Sequence, residues 1–273
     1  VTDPPARARI GCSGWDYPEW VGPVYPRGPN IDRLAHYATL FPIVEINTSF
    51  YHLPTPRTVR SWARRTPHGF GFAAKLPQEI THRRRLNDVE EPLRAFFEVF
   101  DPLLREGRLL AILAQLPPSL PFRESLARRF YEQLPRSPPV VIEFREPSWL
   151  QESSYDLLKE WDLTPAIVDE PHLSVPLFEG FPLVYIRWHG HGSPVWYDYR
   201  YSDEELRQWV PRVKRLERSG RPVLGFFNNH FRGDAARNAL TLSEFLELPP
   251  PAWTRRLDFP SLPPEPRENP GAS

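Results

Sequence analysis

Eight short apolar runs alternate with segments of helical periodicity along this chain, and that alternation constrains its fold more than any other feature. The runs are 8–12, 43–47, 70–75, 109–115, 140–144, 165–168, 183–187 and 223–227. Runs of this length suit buried strands, and strands separated by helices specify a parallel sheet. Eight such units match a closed barrel better than an open doubly wound sheet, and about 250 residues is the usual size of that architecture. The first strand-to-helix loop lacks G-x-G-x-x-G spacing, so a dinucleotide fold has no positive support. The expected fold is α/β, a TIM-like (β/α)8 barrel over residues 1–248, followed by a Pro-rich C-terminal tail over 249–273 that wraps the surface or stays disordered.

The intervening segments carry their own signals. Residues 31–41 place Leu34, Ala35, Ala38 and Phe41 on one face. Thr55-Pro56 reads as an N-cap followed by Pro in the first helical position, and Ser202 with Glu205 has capping-box spacing. Further helices are expected over 92–104, 122–134, 154–161, 203–218 and 235–246, with an Arg-rich loop at 81–86. Between the sixth and seventh runs, Pro171, Pro176, Gly180 and Pro182 argue for loop, so the sixth helix is expected to be missing or replaced.

Several classes are excluded by composition. The formal net charge is zero, which removes a global basic field for steering nucleic acid. Cys12 is the one cysteine, so an internal disulfide and Cys-rich zinc sites are ruled out. No stretch has the length and apolarity of a membrane span or the pattern of a signal peptide, and a cytoplasmic location is the expectation. Basic residues are almost all arginine: Lys75, Lys159 and Lys214 are the three lysines among 34 Lys and Arg.

The runs end in polar side chains with period-two spacing. Glu45 and Asn47 flank Ile46, Glu143 and Arg145 flank Phe144, and Arg187 and His189 flank Trp188. Residues two apart in a strand share a face. Each pair therefore points one way, while Ile46, Phe144 and Trp188 point toward the helix layer. Lys75, Gln115, Asp169 and Asn228 end the remaining runs after the first. A barrel gathers strand ends at its C-terminal rim, where catalytic groups of this architecture sit. Solvated loop starts, or an ion-pair lattice of Glu143–Arg145 and Asp169–Arg187, are the structural alternatives.

Such a cluster has limited chemistry. Lys75, Arg145 and Arg187 form a cationic floor for a carboxylate or phosphate. Glu143 and Asp169 are the acid/base candidates, and His189 is suited to move a proton near neutral pH. Glu45, Asn47, Gln115 and Asn228 orient polar groups of a substrate, with Tyr51. No metal is expected, because one histidine amid three cations makes poor ligand chemistry and no H-E-x-x-H motif is present. Trp15 to Tyr25, Phe50-Tyr51-His52, Trp149 and Trp196-Tyr197 either wall a pocket or pack loops onto the barrel. His82 to Arg85 is a small basic patch, a solvated face or a phosphate-backbone contact.

These motifs resemble the YecE-like family (domain of unknown function 72). The resemblance rests on Ile10-Gly-Cys-Ser-Gly-Trp-x-Tyr-x-x-Trp20, Val44-Glu-Ile-Asn-Thr-Ser-Phe-Tyr51 with Pro54, and Phe72-Ala-Ala-Lys-Leu-Pro77 with Thr81-His82. It continues in Gln115-Leu-Pro-Pro118, Glu143-Phe-Arg-x-Pro-Ser-Trp149, Asp169, Arg187-x-His-Gly190 and Phe227-Asn-Asn229 with Ala236 and Asn238-Ala239. The match spans about residues 9–245. It implies a TIM-like barrel. Through the likeness of that barrel to the endonuclease IV and sugar-isomerase group, it also points toward nucleic-acid or phosphate-ester chemistry. The many His and carboxylate ligands of a trinuclear zinc nuclease are missing here. Cys12 stands where the family commonly has Thr.

Taken together, the expectation is an enzyme, a hydrolase or isomerase, acting by acid/base chemistry without cofactor on a small anionic, sugar- or nucleotide-like ligand. A nucleic-acid-binding or endonuclease-like phosphodiesterase and a non-catalytic scaffold barrel are the alternatives. No membrane partner is expected.

Overall fold

The strands β1 (Arg9–Ser13), β2 (Ile43–Ile46), β3 (Gly71–Lys75), β4 (Leu109–Gln115), β5 (Val140–Glu143), β6 (Thr164–Asp169), β7 (Val184–Trp188) and β8 (Val223–Phe227) close into one barrel in sequence order. Every neighbouring pair is parallel, and β8 closes on β1 with Cys12 opposite Phe227. The computed structural model describes residues 7–173, 176–177 and 180–254.

Among the described residues seven helices fill the β/α connections and the end of the barrel: α1 (Arg33–Leu40), α3 (Pro56–Arg65), α4 (Glu90–Arg105), α5 (Glu124–Tyr131), α6 (Glu152–Glu160), α7 (Asp203–Glu217) and α8 (Asp234–Phe245). A single turn, α2 (Thr48–Tyr51), follows β2 directly. The caps read from sequence are formed: Thr55 Oγ1 accepts from Thr58 N at 3.2 Å, and Ser202 and Glu205 make the reciprocal box. Between β6 and β7 no helix occurs among the described residues, as the Pro and Gly there predict. The segment read as an Arg-rich loop differs: Glu79–Arg83 makes a five-residue π-helical turn. Among the described residues no helix is long and apolar enough to cross a membrane.

Strand alternation divides the core into two layers. Ile43, Ala73, Leu113, Val141, Val168, Tyr185 and Phe226 fill the barrel interior. Ile46, Phe144 and Trp188 pack outward among the helices, as their spacing predicts. Trp188 stacks on Phe227 at 4.5 Å between ring centroids and meets Trp209 of α7 edge-on at 5.3 Å. Gly225 makes room for that indole, because a Cβ there would lie 2.6 Å from the Trp188 ring. The first residues past 248 lie against the barrel: Trp253 Nε1 donates to Ala38 O at 2.7 Å. The rest of the expected tail, 255–273, lies outside the described residues.

Gly225→Ala should destabilise the barrel by about 1–3 kcal/mol through overpacking. Urea denaturation would read this as a lower midpoint at unchanged slope.

Candidate functional site

At the C-terminal rim the interior positions of successive strands turn from apolar to charged. Arg187 is at the centre, 1% exposed. Its Nε and Nη2 donate to Glu45 Oε2 and Oε1 at 2.9 and 2.7 Å, and its Nη1 donates to Glu143 Oε2 at 2.6 Å. The guanidinium is thus held by two fully buried carboxylates, one of them in a bidentate fork. Glu45 also accepts from Ser13 Oγ at 2.7 Å and Tyr185 Oη at 2.6 Å. Arg145 continues the lattice. Its Nε donates to Glu143 Oε1 at 2.5 Å, its Nη1 to Glu170, and its Nη2 to His189 Nε2 at 2.9 Å.

This lattice sets the charge of each member. Burial opposes ionisation of Glu143, but Arg145 and Arg187 outweigh it and hold its carboxyl well below the usual range. Glu45 is lowered in the same way, chiefly by Arg187 against burial. Burial, then Arg145 and Arg187, press His189 down to about 3. The other ring nitrogen, Nδ1, lies 2.9 Å from Asn228 Nδ2, so both nitrogens of the neutral ring face donors. Two groups move toward neutrality. Burial lifts Glu170 to about 6, with Arg145 opposing. Burial, then Arg187, lowers Lys75 to about 7.

Lys75 differs from both arginines. Its Nζ donates to Gln115 Oε1 and lies 4.0 Å from the centroid of the Phe50 ring. No carboxylate stands within 4.0 Å of it among the described residues. Above it opens a mostly polar pocket of about 280 Å³, lined by Lys75, Asn47, Gln115, Arg145, Arg187 and Asn228, with Tyr17, Tyr51, Tyr197 and His230 as an aromatic rim. Tyr17 stacks on His230 at 4.6 Å, and Tyr51 is 66% exposed at the mouth.

The family model for "Protein of unknown function DUF72" matches residues 9–263. The chain belongs to the DUF72 family. The UPF0759 protein YunF of Bacillus subtilis is 30% identical over 270 residues, 88% of this chain and 94% of that protein. The UPF0759 protein YecE of Escherichia coli K12 is 32% identical over 141 residues, 51% of this chain and 49% of that protein. A crystal structure of a DUF72 family protein from Thermotoga maritima superposes with a TM-score of 0.80 at 32% identity, covering 88% of this chain and 99% of that one. A DUF72 family protein from Enterococcus faecalis superposes with a TM-score of 0.74 at 26% identity, covering 89% and 99%.

In this DUF72 chain the rim gathers Glu45, Asn47, Lys75, Gln115, Glu143, Arg145, Arg187, His189 and Asn228. Asp169 is the exception. It shares a face with Ile167, points into the helix layer, and accepts from Trp209 Nε1 at 3.2 Å while meeting His191 Nε2 at 2.9 Å. The expected Asp169–Arg187 pair therefore does not form, and Glu170, one residue on and on the interior parity, takes that place beside Arg145. The roles expected of Glu143 and His189 also change. A carboxylate held ionised between two guanidiniums is a weak base, and the His189 ring, pressed down to about 3, is held neutral near pH 7. The cationic floor shrinks to Lys75, since both arginines are engaged.

The aromatic readings divide. Tyr17, Tyr51 and Tyr197 line the pocket, while Trp20 and Trp149 are fully buried and pack loops onto the barrel. In the basic patch, Arg84 pairs with Glu79 at 2.9 Å and Arg85 Nη1 donates to Ser119 Oγ at 2.9 Å. Residues missed in the sequence are Ser13, Tyr185, Glu170 and His230. The first three follow from continuing the alternation of Gly11, Arg187 and Val168 by one step along the strand. His230 lies in a loop with no such signal. Among the described residues no group of three or more His, Cys, Asp or Glu is placed to hold a metal ion.

Arg187→Met should cost about 3–5 kcal/mol, because it leaves Glu45 charged, buried and without its cation; chemical denaturation measures this. Nitrogen NMR of the His189 ring should show it neutral at pH 5. The unfolded chain takes up that proton near 6.5 and the fold only near 3, so this residue's contribution to stability falls as pH drops between those values.

Proposed function

We propose that the rim basin is the active site of a small-molecule enzyme that seats one anionic group on Lys75 and exchanges protons through Lys75 and Glu170. The observation that carries this reading is the state of Lys75. It faces the pocket, and it is the basic side chain of the cluster that lacks a carboxylate partner among the described residues. Arg145 and Arg187 with Glu45 and Glu143 form a frame whose charges stay fixed across the neutral range. Glu170 and Lys75, at about 6 and about 7, are poised where general acid/base catalysis works best. Titratable groups with shifted midpoints at a cleft mark chemistry of this kind; Lys75 lines the cleft, and Glu170, which does not line it, is joined to it through Arg145.

Pocket size limits the ligand. A volume of about 280 Å³ suits a small molecule or one sugar-sized ring, with Tyr17, Tyr197 and His230 available for stacking. The nucleic-acid reading has less support, since the chain has zero net charge and Arg84 and Arg85 have partners of their own.

Titration calorimetry with inorganic phosphate and with acetate tests the proposal. Affinity should be highest with Lys75 protonated and should weaken as pH rises through about 7, because the protonated amine is the binding form. Lys75→Met should weaken binding about tenfold or more, that is by at least about 1.4 kcal/mol. A folded Lys75→Met variant that binds as well as the parent chain would overturn the reading.

A further inference from the structure

We infer that Lys75 is an imine-forming residue and that the substrate class of this pocket is a small 2-oxo acid. The inference rests on the small-anion reading above and deepens it by naming the bond that forms. Its first support is geometric. The amine is at the end of β3, 9% exposed, and faces the pocket. It has an amide oxygen of Gln115 on one side and the Phe50 ring on another. The charged groups around it are Arg145, Arg187, Glu45 and Glu143, with His82 near Phe50, and those carboxylates are engaged by the arginines.

A second support is the choice of side chain. This chain uses arginine at nearly every basic position, and three of its 34 Lys and Arg residues are lysine. An arginine would hold an anion in a fork and keep its charge. Lysine differs in that it can shed its proton, and a desolvated lysine beside other cations is the arrangement that activates an amine as a nucleophile. Burial and the neighbouring Arg187 lower the midpoint of Lys75 to about 7, which brings the free amine within reach near neutral pH.

The step balances without an oxidant or reductant. The neutral Nζ attacks the ketone carbon, a C–N bond forms, the carbonyl electron pair moves to oxygen, and one proton passes from the nitrogen to that oxygen through water to give a carbinolamine. That hydroxyl takes a proton from water at the open mouth of the pocket and leaves as water. The nitrogen lone pair closes the C=N bond. The product iminium is positive, and the carboxylate next to it in a 2-oxo acid compensates that charge where no protein carboxylate does.

The test is reductive trapping on the full chain with pyruvate and, in parallel, glyoxylate, each with sodium cyanoborohydride, followed by intact-mass and peptide mapping. The expected result is one adduct per chain, heavier by the mass of the probe less one oxygen, on Lys75. Lys159 and Lys214 serve as internal controls, so the result needs no variant that must fold. Lys75→Arg should abolish the adduct. Trapping at Lys159 or Lys214 as fast as at Lys75, or no trapping with either probe, would overturn the inference. Phosphate titration separates the two failures. Phosphate binding that persists without trapping removes the imine alone, and loss of both removes the anion site as well.

Discussion

The Arg187 guanidinium, buried between Glu45 and Glu143, is the interaction on which the rest of the site depends. Removing three charges from water is expensive, and the expense is offset only where geometry satisfies each donor and acceptor. Here the fork to Glu45, the bond to Glu143 and the further donors Ser13 and Tyr185 provide that geometry. Once fixed, Arg187 acts on its neighbours. It keeps both carboxylates ionised, helps keep His189 neutral, and disfavours the charged form of Lys75. A single buried cation thus separates the basin into groups that hold their charge and groups that change it.

The barrel makes this separation sharp. Strands β2, β5 and β7 deliver the fixed charges on interior positions, where packing below holds the backbone. Ala73 and Val141 lie beneath Lys75 and Glu143 on the same strands, so the polar layer rests on an apolar one. Arg145, His189, Asn228 and Glu170 come from the first residues past the strands, where side chains reach back over the layer.

Much of this was legible from sequence because strand alternation is a strict rule. The pairs Glu45/Asn47, Glu143/Arg145 and Arg187/His189 identify a shared face without any knowledge of the fold. The same rule explains the failure at Asp169. Two acids stand in a row there, and the choice between them depends on whether Val168 or Ile167 faces the interior, which a run apolar on both faces does not reveal. The roles of Glu143 and His189 were harder to read. Strand position says where a side chain points, and the proton affinity depends on how many cations end within bonding distance. That number came from Arg145 and Arg187 both turning onto Glu143. The weakness of the 170–183 segment as a helix was plain from its prolines. The wall residue His230 depended on a loop conformation that no periodicity encodes.

The seam between β1 and β8 has a consequence for how the chain assembles. Trp20 Nε1 donates to His230 O across 210 residues of sequence, and Tyr17 stacks on the same histidine. The first strand therefore waits for the last before its edge is covered. Glu45 waits almost as long for Arg187, 142 residues later. Such distant partnerships slow collapse to the finished state. During synthesis, the growing amino-terminal half presents an open sheet edge and an unneutralised acid until the carboxy-terminal strands emerge.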